Sequence, residues 1–250
     1  MKVYKLTDEN GKTRNNTQWG PGVTHTADGK SAKLCNKHWV HAYADPVLAV
    51  LMNPAHGQFA NPQLWECEAE VKLQNADKLG CVSLTTLRVI PLPPVTTAQC
   101  REFARLAALA VYPLWRKYDE NNTWHEWAKN PGANMAANVA YAAYIAAAEA
   151  AYIANEADIA AAKAAYAAYN AHADDIAAAA PAYAANAGAH AAKAGADTSR
   201  AGNNTTAHAA NAGAYASDAI NAAYGAASTE QREKLDLVKI ARQAVTDLNR

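Results

Sequence analysis

The chain has 250 residues, equal numbers of basic and acidic side chains (23 each) and 51% hydrophobic residues. Balanced charge gives no field that would draw it to nucleic acid or to an anionic membrane. Much of the hydrophobic fraction is alanine gathered between Ala133 and Ala227, and alanine buries too little surface to build a large conventional core.

The length suits one or two domains, and composition divides it into three. Residues 1–130 read as an α+β head, mainly β with packed helices. Residues 131–227 read as a long alanine-rich antiparallel helical arm, and residues 228–250 as a C-terminal amphipathic helix that packs on the head or on the base of the arm. The opening MKVYKLTDENGKTR turns polar too early for a secretory signal, and Glu149, Glu156, Lys163 and Asp174 break up the alanine tract. Neither export nor a membrane span is expected. Cys35, Cys67, Cys81 and Cys100 form no CxxC pair and read as free thiols in a reducing cytoplasm.

Taken in chain order, Lys2–Leu6 alternates apolar and polar residues and breaks at Asp8-Glu-Asn-Gly11, a strand and a turn. A polar stretch around Trp19 leads to a second strand at Trp39-Val-His-Ala-Tyr43. Asp45-Pro46 ends that strand, since aspartate favours an N-cap and proline confines its predecessor to extended backbone. Val47–Met52 predicts one or two helical turns. Leu64–Val71 predicts a half-exposed strand with Leu64, Glu66, Glu68 and Glu70 on one face and Trp65, Cys67, Ala69 and Val71 on the other. A further strand lies within Cys81–Leu92 and is closed by Pro91, Pro93 and Pro94. Thr96-Thr97 then caps a helix with Phe103, Leu106, Ala107 and Ala110 on one face, which Pro113 should end or kink.

From Ala136 to Ala196 alanine recurs at alternating steps of four and three, with Asp175 taking one place in the row, a 3.5-residue seam that predicts supercoiling against another helix at close range. Residues 197–206 interrupt it, and the steps resume at Ala209, Ala212, Ala216, Ala219, Ala223 and Ala226. The expected turn lies there or at Pro181. Tyr141, Tyr144, Tyr152, Tyr166 and Tyr169 border the seam. Ser228 with Gln231 makes a capping box before an apolar stripe of Leu237, Val238, Ala241, Ala244, Val245 and Leu248.

His38 and His41, with His25 and His56 nearby, are the densest source of ring nitrogens, but three residues apart on a strand they face opposite ways, so no metal site is expected. Glu66, Glu68 and Glu70 read as a solvated sheet face, and Trp115, Trp124 and Trp127 as a clamp between head and arm. Common nucleotide, hydrolase and metalloprotease motifs are absent from the sequence. No catalytic residue is named and no cofactor is expected.

Val3-Tyr-Lys5, Trp19-Gly20, His25, Leu34-Cys35, Val40-His-Ala42, Asp45-Pro46 and Leu64-Trp-Glu66 together resemble a domain of tailed-bacteriophage proteins that often precedes alanine-rich repeats. More remotely, the head resembles the ADP-ribosyltransferase-like fold, with Tyr4-Lys5 at the first site position and His41 or Tyr43 at the second. No acidic residue lies between Cys81 and Arg101, where that fold would place its catalytic glutamate, so the resemblance does not bring transferase activity with it. What it implies is a ligand pocket of Tyr4, Lys5, His41 and Tyr43, with Trp19 beside them.

The expectation is therefore a phage-encoded, non-catalytic binding and assembly protein of the infected host's cytoplasm, whose alanine coil sets spacing or oligomeric state. Its partner would be itself or a host or phage protein. The alternative is an anti-defence protein whose head binds or processes a NAD-derived or cyclic-nucleotide signal.

Overall fold

A computed structural model describes residues 1–32, 34, 36–116, 122–129, 187, 190–191, 203–224 and 236–247. Alternation builds the first strand, β1 (Lys2–Thr7), with Val3, Lys5 and Thr7 facing one way and Tyr4 and Leu6 the other. The Asp8 carboxylate then accepts from the Asn10 and Lys12 amides (2.9 and 2.7 Å). Gly11 sits at φ 73° in this turn, which leads into a small ribbon of β2 (Lys12–Thr13) and β3 (Thr17–Gln18).

Next come β4 (Thr24–Thr26) and β5 (Val40–Ala42). Asp45 ends the extended run and caps α1 (Pro46–His56), accepting from the Val47 and Leu48 amides at 2.8 and 3.1 Å. Two long strands follow as an antiparallel hairpin, β6 (Gln63–Gln74) and β7 (Leu79–Ile90).

In the sheet β6 lies between β1 and β7, and the far edge of β7 takes both β5 and β4. Tyr43, just past β5, bridges Tyr4 on β1 through amide–carbonyl bonds of 2.9 and 2.8 Å in both directions. The path β1-β6-β7-β5 thereby returns to β1, and the sheet closes into a small barrel. Its interior is packed with Val3, Trp19, Trp65, Cys67, Cys81 and Leu84.

The outer face carries the helical layer. In α2 (Thr97–Trp115) the Thr96 hydroxyl accepts from the Gln99 amide (3.2 Å), and the Gln99 side chain accepts from the Thr96 amide (2.8 Å). The helix continues through Pro113 and stops two residues later. Phe103, Ala107 and Val111 are fully buried on its inner face. A short α3 (Thr123–Lys129) is held to α2 by His125 stacked on Tyr112 at 4.2 Å and by the Arg105 guanidinium, which donates to the Ala128 carbonyl.

Two later helices complete this layer. The first, α4 (Asn203–Tyr224), packs on α1 and α2. The second, α5 (Leu237–Asp247), packs on the same pair and buries Leu237, Ala241 and Ala244. Gln99 Nε2 donates to the Val245 carbonyl (3.0 Å), and Arg242 pairs with Asp45 at 2.8 Å.

The long alanine-rich arm is not what the described residues show. Ala187, Ala191, Ala209, Ala212 and Ala216 are buried in the core that also holds Phe103, Met52 and Leu48. The physical reason lies in size. A Cβ on Gly213 would come within 2.8 Å of the Phe103 ring and 3.2 Å of the Met52 sulfur. Small residues at these steps let α4 approach the large side chains of α1 and α2 instead of another alanine face. Of the expected turn at 197–206, Asn203–Thr206 are helical, while 197–202, Pro181, the flanking tyrosines, Leu248 and the Ser228–Gln231 box lie outside the described residues. No described helix is long and apolar enough to cross a membrane.

Candidate functional site

Four elements meet at the open end of α1 and bring together a chain of polar side chains. Tyr43 follows β5, His56 ends α1, Asp77 lies in the β6–β7 turn and Ser217 sits midway along α4. Tyr43 Oη lies 3.0 Å from His56 Nδ1, and His56 Nε2 lies 3.0 Å from Asp77 Oδ2. Ser217 Oγ donates to Asp77 Oδ1 at 3.0 Å, and Lys78 Nζ stands 3.7 Å from Oδ2. Tyr43, Asp77 and Ser217 are all buried.

Electrostatics orient the chain. Burial, reinforced by the Asp77 charge, pushes the Tyr43 phenol well above its ordinary range, so the phenol keeps its proton. His56 Nε2 donates to Asp77, and Nδ1 shares a hydrogen bond with the phenol, accepting when the ring is neutral and donating when it is charged. Burial alone would raise the Asp77 carboxyl. The His56 hydrogen bond and charge, Lys78 and the Ser217 hydroxyl outweigh it and hold the group below its ordinary value.

The residues singled out from the sequence fall on two sides of the barrel wall. Tyr4, His41 and Tyr43 are on the outer side, where Tyr4 and Tyr43 join the helical core. Lys5 and Trp19 are inside, with the Lys5 ammonium 4.6 Å from the Trp19 ring centroid. The register that pairs Tyr4 with Tyr43 would set Leu6 opposite His41, and there Lys5 Nζ takes the His41 carbonyl at 2.9 Å. Burial lowers the Lys5 pKa from 10.5 to about 8. His41 Nε2 bonds to the Leu34 carbonyl at 2.5 Å. Burial lowers the His41 pKa, as do the charges of Lys5, Lys78 and His56, against the opposing pull of that carbonyl.

The other candidates also have partners. Trp19 Nε1 donates to Thr13 Oγ1 (3.0 Å), His25 Nε2 bonds the Gln18 carbonyl (2.8 Å), and His38 pairs with Asp28 (2.7 Å). Glu66 takes both Lys2 (2.7 Å) and Arg88 (3.3 Å), while Glu68 and Glu70 face solvent. The side chains of Trp115, Trp124 and Trp127 lie outside the described residues. Among those described, no three His, Cys, Asp or Glu side chains gather as a metal site would require.

Asp77, Lys78 and Ser217 were missed from the sequence. Ser217 carried a usable signal, as a hydroxyl between the small residues of a buried helix face. Asp77 carried none, because its sequence context is that of an ordinary turn. Comparison with known proteins finds no family model, curated protein or solved structure that matches this chain.

Proposed function

We propose that the protein is a phage-encoded binding and assembly protein without catalytic turnover, whose partner is a second copy of itself or a host or phage protein. One observation carries the reading. The head side chains best suited to chemistry are engaged by the fold itself: Lys5 on the His41 carbonyl, His41 on the Leu34 carbonyl, and Tyr43 on His56 and through it on Asp77. Apolar Leu87, Val89 and Leu92 meanwhile face outward at 40, 50 and 41% exposure. The phage setting is supported by the resemblance of the head motifs alone.

Light scattering coupled to small-angle X-ray scattering at two concentrations tests the proposal. A discrete oligomer, or a partner that co-purifies in fixed ratio, supports it. A monomer at both concentrations with no retained partner refutes it.

A second reading is favoured by the convergence of His41, Tyr43, His56 and Lys78 at one end of the barrel, which suits an anionic, nucleotide-like ligand. Equilibrium dialysis with ADP-ribose and cyclic nucleotides would then show binding that His41→Ala and Tyr43→Ala abolish. Unchanged binding in both variants removes this reading.

A further inference from the structure

Among the described residues, two acidic side chains are fully buried, and each has an opposite charge beside it. Asp45 takes Arg242 at 2.8 Å, and Asp77 takes Lys78 at 3.7 Å. Lys5 is buried as well and has no such partner. Its ammonium donates to the His41 carbonyl (2.9 Å) and lies 4.6 Å from the centroid of the Trp19 ring. The groups whose charge bears on it are the Cys67 and Cys81 thiols, with no carboxylate among them. Burying a cation without a counter-ion is costly, and a leucine or methionine would fill the barrel without that cost.

The amine also stands at the weakest line of the barrel wall. β1 pairs with β6 from Lys2 to Thr7, but among the described residues it meets the β5 side through the Tyr4–Tyr43 bridge alone. Beyond that bridge the His41 carbonyl takes the Lys5 ammonium in place of a backbone amide. Parting the seam there costs few hydrogen bonds, so a local opening reaches the amine without unfolding the sheet. Burial brings the Lys5 pKa to about 8, and the neutral amine is the nucleophilic form. His41, at the same seam, feels the charges of Lys5, Lys78 and His56, so the surroundings of the opening favour an anion.

We infer that Lys5 is a covalent capture site for a small aldehyde that also carries an anionic group, held as an imine in the seam between β1 and β5. The neutral amine adds to the carbonyl carbon, and the carbinolamine so formed loses its oxygen as water. Counted from the ammonium, nitrogen gives two protons to the departing oxygen, C=N replaces C=O, and the iminium keeps the positive charge. No oxidant or reductant is consumed, and the Trp19 ring still faces a cation. The inference goes beyond the assembly reading and does not depend on it: it gives binding without turnover a ligand class.

The probe is pyridoxal 5′-phosphate, an aromatic aldehyde with a phosphate group, added at limiting concentration to the full-length protein near neutral pH. The imine is followed by its visible absorbance, fixed with borohydride and located by peptide mass mapping. Lys5 should carry the adduct about tenfold or more above any other lysine. Its labelling should level off above pH 8, the value about which the buried amine loses its proton, while exposed lysines go on gaining reactivity toward about pH 10.4. Lys5→Arg keeps the charge and the donor but forms no imine, and should lose the dominant adduct while melting like wild type. Mapping on the wild-type protein decides the matter without any variant.

Labelling spread evenly over exposed lysines overturns the inference. So does a Lys5 adduct that forms only in denaturant, because the amine then serves to close the seam and nothing else. Pyridoxal, which lacks the phosphate, should label Lys5 less; equal labelling overturns the anionic half of the ligand class. None of these outcomes alters the light-scattering test of assembly, so the two readings fail separately.

Discussion

Lys5→Met tests how the barrel is built. The ammonium lies inside, 8% exposed, and burial lowers its pKa from 10.5 to about 8. Below pH 8 both folded and unfolded chains carry the proton, and the penalty for burying the charge is complete. Between pH 8 and 10.5 the unfolded chain still holds a proton that the folded chain has released, so stability rises with pH. Above 10.5 the amine is neutral in both states and the gain is complete. At 1.36 kcal/mol per pH unit the whole rise is roughly 3 kcal/mol.

The interior thiols work in the opposite direction. Burial pushes Cys81 from 9.0 to about 11 and Cys67 to about 12, so the unfolded chain ionises first and stability falls above pH 9. The informative quantity is therefore the difference between wild type and Lys5→Met, in which the thiol contribution largely cancels. At pH 7 methionine removes the buried charge but leaves the His41 carbonyl without its donor, a loss of about 1–3 kcal/mol, so the two proteins should differ little. From pH 7.5 to 10.5 that difference should move by roughly 3 kcal/mol in favour of wild type. Urea unfolding followed by circular dichroism at half-unit pH steps measures it. A difference that stays flat across the range refutes the placement of a desolvated amine in the barrel.

Other parts of the fold give equally direct outcomes. Gly213→Val should lower stability by about 1–3 kcal/mol, since its added carbons meet the Phe103 ring and Met52; a melting temperature equal to wild type would place α4 away from α2. Asp77→Ala removes the carboxylate that accepts from both His56 Nε2 and the Ser217 hydroxyl. It should cost about 3 kcal/mol, and Ser217→Ala in the same background should add little if the two act together. In a Cys35→Ser protein, Cys67, Cys81 and Cys100 are buried thiols raised to about 12, 11 and 11. A disulfide reagent at pH 8 should therefore find three reactive thiols only after denaturant is added.

Where structure depends on near neighbours, it could be read from the sequence. Period-two alternation marked β1 and β6, the Asp45 carboxylate marked the start of α1, and Thr96-Thr97 marked the start of α2. Barrel closure could not be read, because it rests on Tyr4 meeting Tyr43, 39 residues apart, with no local signal at either end. The placement of α4 also escaped, since a row of alanines fits a second alanine row and a row of large side chains equally well. Only Phe103 and Met52 across from Gly213 decide between them. The site residues show both cases. Tyr4 and Lys5 are neighbours on a strand and must point to opposite faces, which alternation already required. Asp77 and Ser217 are 140 residues apart, and only the packed fold makes them a pair.

The late arrival of α4 bears on how the chain is made. The apolar face of α1 and α2 is complete once Tyr112 has been synthesised, yet the helix that covers it begins at Asn203, some ninety residues later. At ribosomal speeds of about 5–20 residues per second, Met52 and Phe103 wait roughly 5–20 s for their covering. Of the 90 residues 113–202 added in that interval, 37 are alanine, so large apolar side chains that could mispair with the waiting face come more sparsely than in an ordinary sequence. An alanine-rich passage between two halves of one core thus gives the unfinished head fewer wrong segments to close on.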